Sequence, residues 1–278
     1  MVLIDIHTHL GEFTESVALE ETFARTGEVP SSIVDAYLAA VDGADRAVLL
    51  ALDGRISGYY TSNASVAWMV ARYPDKLVGF ASVNPLAAGA ADDLERAVGD
   101  FGLRGVKLAP MYQLYRPDDA TVFPVYERAL RLSMPILTHQ GTSFLGRTAD
   151  LEESNPVRLD RVARAFPELK IVIAHLGFPW GGEVVALLRK HANVYADCSA
   201  LTGRPWFLFT TLLNAYEYGV LDKVLLGSDY PGVTTRQARD AVLNLAHVTD
   251  GTNLPRIPSD RLQALVERDS LSLLGITT

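Results

Sequence analysis

A chain of 278 residues that is 49% hydrophobic and 21% charged has the composition of a folded protein in water and is long enough for one large domain or two ordinary ones. Its formal net charge of −8 would repel a phosphate backbone or an anionic membrane, and no basic patch offsets it, so a small-molecule substrate is the expected partner, with no nucleic acid and no membrane. The single cysteine, Cys198, excludes an internal disulfide; the start carries no secretory signal pattern and no apolar stretch reaches the roughly 18 residues of a membrane span, so a cytoplasmic location is expected.

In chain order, the first element is a short β-branched run, Val2–Ile6, with His7 and His9 at its end. Side chains two residues apart in a strand face the same way, so the two imidazoles are placed as neighbouring ligands of one metal ion. Further runs of strand type follow at Arg46–Ala51, Leu77–Val83, Gly105–Ala109, Pro135–His139, Ile171–His175, Asn193–Cys198 and Val224–Ser228. Segments with apolar residues at helical spacing alternate with them: Ile33–Val41, Ala64–Tyr73, Ala91–Phe101, Phe123–Leu132, Val157–Phe166, Glu183–His191, Trp206–Tyr218 and Arg236–His247. Asn155-Pro156 and Arg204-Pro205 open helices and Gly219 ends one, as helix boundary chemistry requires. Eight βα units without a Gly-rich phosphate turn predict an α/β fold of the closed (β/α)8 type, a TIM barrel. No linker divides the chain, so residues 1–278 read as one domain, with a short helical C-terminal extension near Ser259–Leu274.

A barrel gathers the C-terminal ends of its strands at one mouth, where catalytic residues sit. His139 closes the fifth run, His175 closes the sixth and Asp229 follows the eighth. His9 and His139 are roughly 130 residues apart, or four repeats of about 32, which matches the repeat. Together with His7 and His9 these residues form a nitrogen and oxygen donor set suited to zinc, manganese or iron. Lys107 alternates with Val106 and Leu108 and so faces the barrel interior, where a lysine needs a partner. It could bind a substrate carboxylate, pair with Asp229 or another acid, or carry a carbamate bridging two metals. His191 and His247 fall in or at the ends of helices and read as structural.

These residues identify a resemblance. Asp5-Ile6-His7-Thr8-His9, Leu77 to Pro85, Gly105-Val106-Lys107-Leu108, Pro135 to His139, Ile173-Ala174-His175-Leu176-Gly177 and Leu226-Gly227-Ser228-Asp229-Tyr230-Pro231 resemble the amidohydrolase superfamily. Within it, the likeness is to the amidohydrolase-2 branch, which includes aminocarboxymuconate-semialdehyde decarboxylase, and it covers nearly the whole chain. Glu267-Arg268-Asp269-Ser270 departs from a commoner Gly-Asn-Ala stretch, away from the site. The resemblance implies that His7, His9, His139 and Asp229 hold one divalent metal, with zinc favoured over manganese or iron. It makes His175 the acid/base or electrophile beside that metal; with two metals bound, His175 would be a ligand of the second, alongside a carbamylated Lys107.

Such a metal lowers the pKa of bound water and polarises carbonyls, so hydrolysis of an amide, ester or lactone is the direct expectation. Asp229 would accept the proton of the attacking water and pass it to the leaving group, while His175 would stabilise the oxyanion. Non-oxidative decarboxylation of an aromatic or muconate-type acid is the alternative, and a metal-binding barrel without catalysis is a third. Lys107, Tyr112, Arg147 and Trp180 are the expected substrate-binding residues, for a small cyclic or carboxylate-bearing substrate. A homodimer is common in similar barrels and is expected here.

Overall fold

The computed structural model describes residues 2–143 and 150–277. Eight strands follow one another round a single parallel sheet: β1 (Ile4–Thr8), β2 (Arg46–Leu50), β3 (Leu77–Ser82), β4 (Gly105–Leu108), β5 (Ile136–Thr138), β6 (Ile171–Ile173), β7 (Val194–Asp197) and β8 (Val224–Leu225). The ring closes between β8 and β1: Ile6 donates its backbone N–H to Leu226 O (3.0 Å) and Asp229 donates to His7 O (2.8 Å). Seven strands lie within the runs expected for them, β1 runs two residues past its expected end at Ile6, to Thr8, and the architecture is a TIM barrel.

Strand alternation sorts the apolar residues into two layers. Val106, Leu108, Leu49 and Ile136 face outward into the large cluster shared with the helices. Ile4, Ile6, Val48, Leu50, Phe80, Leu137, Val172 and Leu225 form a second, inner cluster, completed by Leu271, Leu274 and Ile276. The helices Ser259–Val266 and Ser270–Leu273 are the expected C-terminal extension. Their end plugs the bottom of the barrel. Lys170, just before β6, bonds Leu273 O (2.5 Å), and Arg104, just before β4, bonds Thr277 O (3.3 Å), both at the N-terminal ends of strands.

Two elements occupy stretches that read as plain connections. The helix Ser16–Thr26 buries only Ser16, Leu19 and Glu20, too few apolar positions to show a helical period. Glu20 accepts from Ser62 N (2.9 Å) and from Ser65 Oγ, which ties this helix to a hairpin of Leu52–Gly54 and Tyr59–Thr61. Both lie after strands, over the mouth. No helix among the described residues is long and apolar enough to cross a membrane.

Candidate metal centre and active site

A regular β1 would carry Ile4, Ile6 and residue 8 inward. Its pairing with β2 instead shifts register between Asp5 and Thr8. Thr8 points outward, its hydroxyl on Val48 O (2.7 Å) and Tyr37 OH (2.8 Å), while His7 and His9 both line the cavity at the mouth. Backbone strain aims other groups. His175 (φ 59°), Leu176 (φ 46°), Ala200 (φ 59°) and Asp229 (φ 59°) all adopt the left-handed region just past β6, β7 and β8. Such conformations cost of order 1–3 kcal/mol each and persist where packing over-determines them, commonly at active sites.

The cavity holds about 170 Å³, room for a small molecule only. Four of the chain's six histidines line it, with Lys107 and Asp229. His7 Nε2 lies 3.3 Å from His9 Nε2 and 3.3 Å from Asp229 Oδ1, and His9 Nε2 lies 3.5 Å from the same oxygen. His139 stands outside this tight group but lines the same cavity, its ring 5.0 Å from that of His175. The two histidines outside the cavity pair with acids: His191 with Asp160 (2.7 Å) and His247 with Asp250 (2.9 Å).

Electrostatics suit a cation. Burial lowers the pKa of His7, His9 and, furthest, His139, so their lone pairs are free at neutral pH, as ligation requires. Enclosure opposes ionisation of Asp229, but His175, His7 and His9 more than offset it and hold the carboxyl well below its usual range. Among the described residues, His139 Nε2 and His9 Nδ1 are buried with no hydrogen-bond partner, a costly state that coordination relieves at a ligand nitrogen. These donor types fit a divalent ion: His7, His9 and Asp229 offer ligand atoms close enough to share one, and His139 lines the same cavity outside that group.

Lys107 faces inward as expected. Its Nζ lies 2.9 Å from His7 Nε2, and burial lowers its pKa to about 8 against the opposing pull of Asp229 and Asp197. Tyr112 lines the cavity with its ring 5.0 Å from His139. Trp180 does not line it. It precedes the helix Gly181–Lys190, and Phe178 takes the wall position, under the Arg204 guanidinium at 4.6 Å from the ring centroid. Arg147 lies outside the described residues.

Sequence reasoning missed Asp197. This fully buried carboxylate ends β7 and lies 2.8 Å from His7 Nδ1, and it accepts the backbone N–H of His175 (2.9 Å). The signal was available, because it is a polar residue closing a strand, as His139, His175 and Asp229 do.

A family model described as amidohydrolase matches residues 4–266 of the chain. Among solved structures, an uncharacterised TIM-barrel protein of Bordetella bronchiseptica is similar at a TM-score of 0.75 and 22% identity, with 99% of each chain covered. The 5-carboxyvanillate decarboxylase of Novosphingobium aromaticivorans, solved with manganese and a substituted nitrobenzoic acid, matches at 0.70 and 14%, covering 99% of this chain and 97% of that one. A probable 2-pyrone-4,6-dicarboxylic acid hydrolase of Acinetobacter baumannii, with citric acid bound, matches at 0.67 and 18%, covering 99% and 100%. At these identities the likeness speaks to the fold.

Proposed function

Because this chain belongs to the amidohydrolase family, we propose that it is a metal-dependent hydrolase of a small cyclic or carboxylate-bearing amide, ester or lactone. The observation that carries the reading is the convergence of His7 Nε2, His9 Nε2 and Asp229 Oδ1 beside His139 and His175 in one enclosed cavity. A divalent ion held there, zinc or the manganese seen in the decarboxylase neighbour, would supply Lewis acidity and lower the pKa of water. Asp229, ionised and partly exposed to the cavity, takes the proton of the attacking water and passes it to the leaving group. His175, its ring stacked 4.8 Å from that of His7, is the second proton-transfer group. Lys107 and, at the rim, Arg204 supply positive charge for a substrate carboxylate, with Phe178 and Tyr112 as apolar walls.

Decarboxylation is the second reading, supported by the several decarboxylases among the structural neighbours, which act on carboxyvanillate or dihydroxybenzoate. The same Asp229 and His175 would then protonate the carbon that carbon dioxide leaves. Metal analysis of the purified protein, with His7→Ala and Asp229→Asn variants, tests the common premise: stoichiometric divalent metal in the wild type, lost from both variants. A wild type that binds none after reconstitution refutes it. A panel of lactones, amides and aromatic acids, followed for acid and carbon dioxide release, separates the readings, and gas release without hydrolysis on every active member overturns the first.

A further inference from the structure

Asp197 reaches from the end of β7, across β8, to the histidine of β1. Gly227 gives it the room: a Cβ there would lie 2.9 Å from His7 Cβ and 3.1 Å from Ser199 Cβ. Asp197 Oδ2 meets His7 Nδ1 at 2.8 Å. Its Oδ1 accepts the backbone N–H of His175 (2.9 Å) and of Ser199 (3.0 Å), and the Ser199 hydroxyl at 2.5 Å. The same hydroxyl oxygen lies 2.8 Å from His175 Nδ1 and 3.2 Å from His7 Nδ1, whose shorter contact is the 2.8 Å one to Asp197.

A proton inventory decides who donates. Lys107 Nζ, a donor, stands 2.9 Å from His7 Nε2, so that nitrogen keeps its lone pair, and Asp197 Oδ1 already accepts two backbone N–H groups, as a carboxylate does. An ionised carboxylate only accepts. His7 Nδ1 therefore carries the hydrogen, and its Nε2 lone pair faces His9 and Asp229. Ser199 has a single proton, and the short contact with Asp197 takes it; turned the other way, the hydroxyl would set its lone pairs against the carboxylate. Its oxygen is left to accept from His175. His175 thus carries hydrogen on Nδ1 and keeps a lone pair on Nε2.

We propose that Asp197 and Ser199 are a positioning pair, by which one buried carboxylate fixes the tautomers of both His7 and His175. The roles of the two histidines rest on the function proposed above, whereas their tautomers do not. The pair gives His175 a direction: when neutral it offers the substrate an acceptor at Nε2, and it can donate to an oxyanion only after taking up a proton there.

Long-range proton–nitrogen NMR on the full chain, labelled with 15N-histidine and freed of metal, reads the tautomers near neutral pH. In the wild type both histidines should show the Nδ1–H form. Ser199→Ala should move His175 towards Nε2–H and leave His7 unchanged, Ser199→Thr should restore His175, and Asp197→Asn should remove the Nδ1–H preference from both. An Nε2–H His175 in the wild type, or one unmoved by Ser199→Ala, overturns the inference. The two Ser199 variants suffice should Asp197→Asn not fold. A protein with this pattern that turns over no member of the substrate panel leaves the pair standing and removes the function, and turnover with the wrong pattern does the reverse.

Discussion

Lys107→Met should tighten metal binding. His7 donates through Nδ1 to Asp197, so Nε2 offers one lone pair, and the Lys107 ammonium already sits 2.9 Å from it. With a pKa of about 8 the amine is charged at neutral pH, and an incoming cation must displace it. A hydrogen bond from a charged donor is worth roughly 1.5–3 kcal/mol, and each 1.4 kcal/mol is tenfold in affinity, so removing the competitor should tighten binding by about 10- to 100-fold. Methionine keeps the length of the buried stem and adds no charge. Titration of metal-free wild type and variant with zinc or manganese, against a chelating indicator, gives the ratio directly. Weaker binding in Lys107→Met would refute the reasoning, because it would make the lysine a ligand, as a carbamate would be, rather than a rival.

Gly227→Ala should push His7 away from Asp197, destabilise the fold by about 1–3 kcal/mol through overpacking, and weaken metal binding; an unchanged melting temperature and affinity would remove Gly227 as the spacer. Leu274→Ala, at 2% exposure in the bottom plug, should cost about 2–5 kcal/mol in denaturant unfolding and leave metal affinity intact, and a lost metal site with stability retained would contradict the layering. Lys190, then His191, bonds Asp160 and lowers its pKa from 3.8, so the stability it contributes is present above that value and is lost as pH falls through the lower folded one. The melting difference between wild type and Asp160→Asn should therefore shrink on acidification, and a pH-independent difference would count against the pairing.

The barrel was legible because each strand is a short apolar run closed by punctuation, and Lys107 was placed correctly because β4 alternates without irregularity. In β1 the same rule held only in part. His7 and His9 do share a side, but Ile4 and Ile6 also point inward, and the register shift that permits both depends on pairing with β2. Asp197 closes its strand as the other site residues do, but its role shows only through partners on and beyond other strands, His7 and the backbone of His175. Trp180 stands five residues past His175 in sequence, yet beyond the left-handed turn at His175 and Leu176 it is Phe178 that lines the cavity. The helix Ser16–Thr26 has a mostly polar surface, and a 3.6-residue period cannot be read from so few buried positions.

The seam between the first and last strands would give a bound metal a mechanical consequence. Asp229 donates its backbone N–H to His7 O there, and the side chains of the same two residues offer ligand atoms to one ion. An ion bound to both works as a latch on the ring, adding its binding free energy to the closing of the barrel. The two residues stand near opposite ends of the sequence and meet only when the circuit of strands is complete, a long-range contact of the kind that slows folding. Chelation should then release the seam before any other part of the sheet, and amide exchange at His9 and Asp229 would be where the opening first shows.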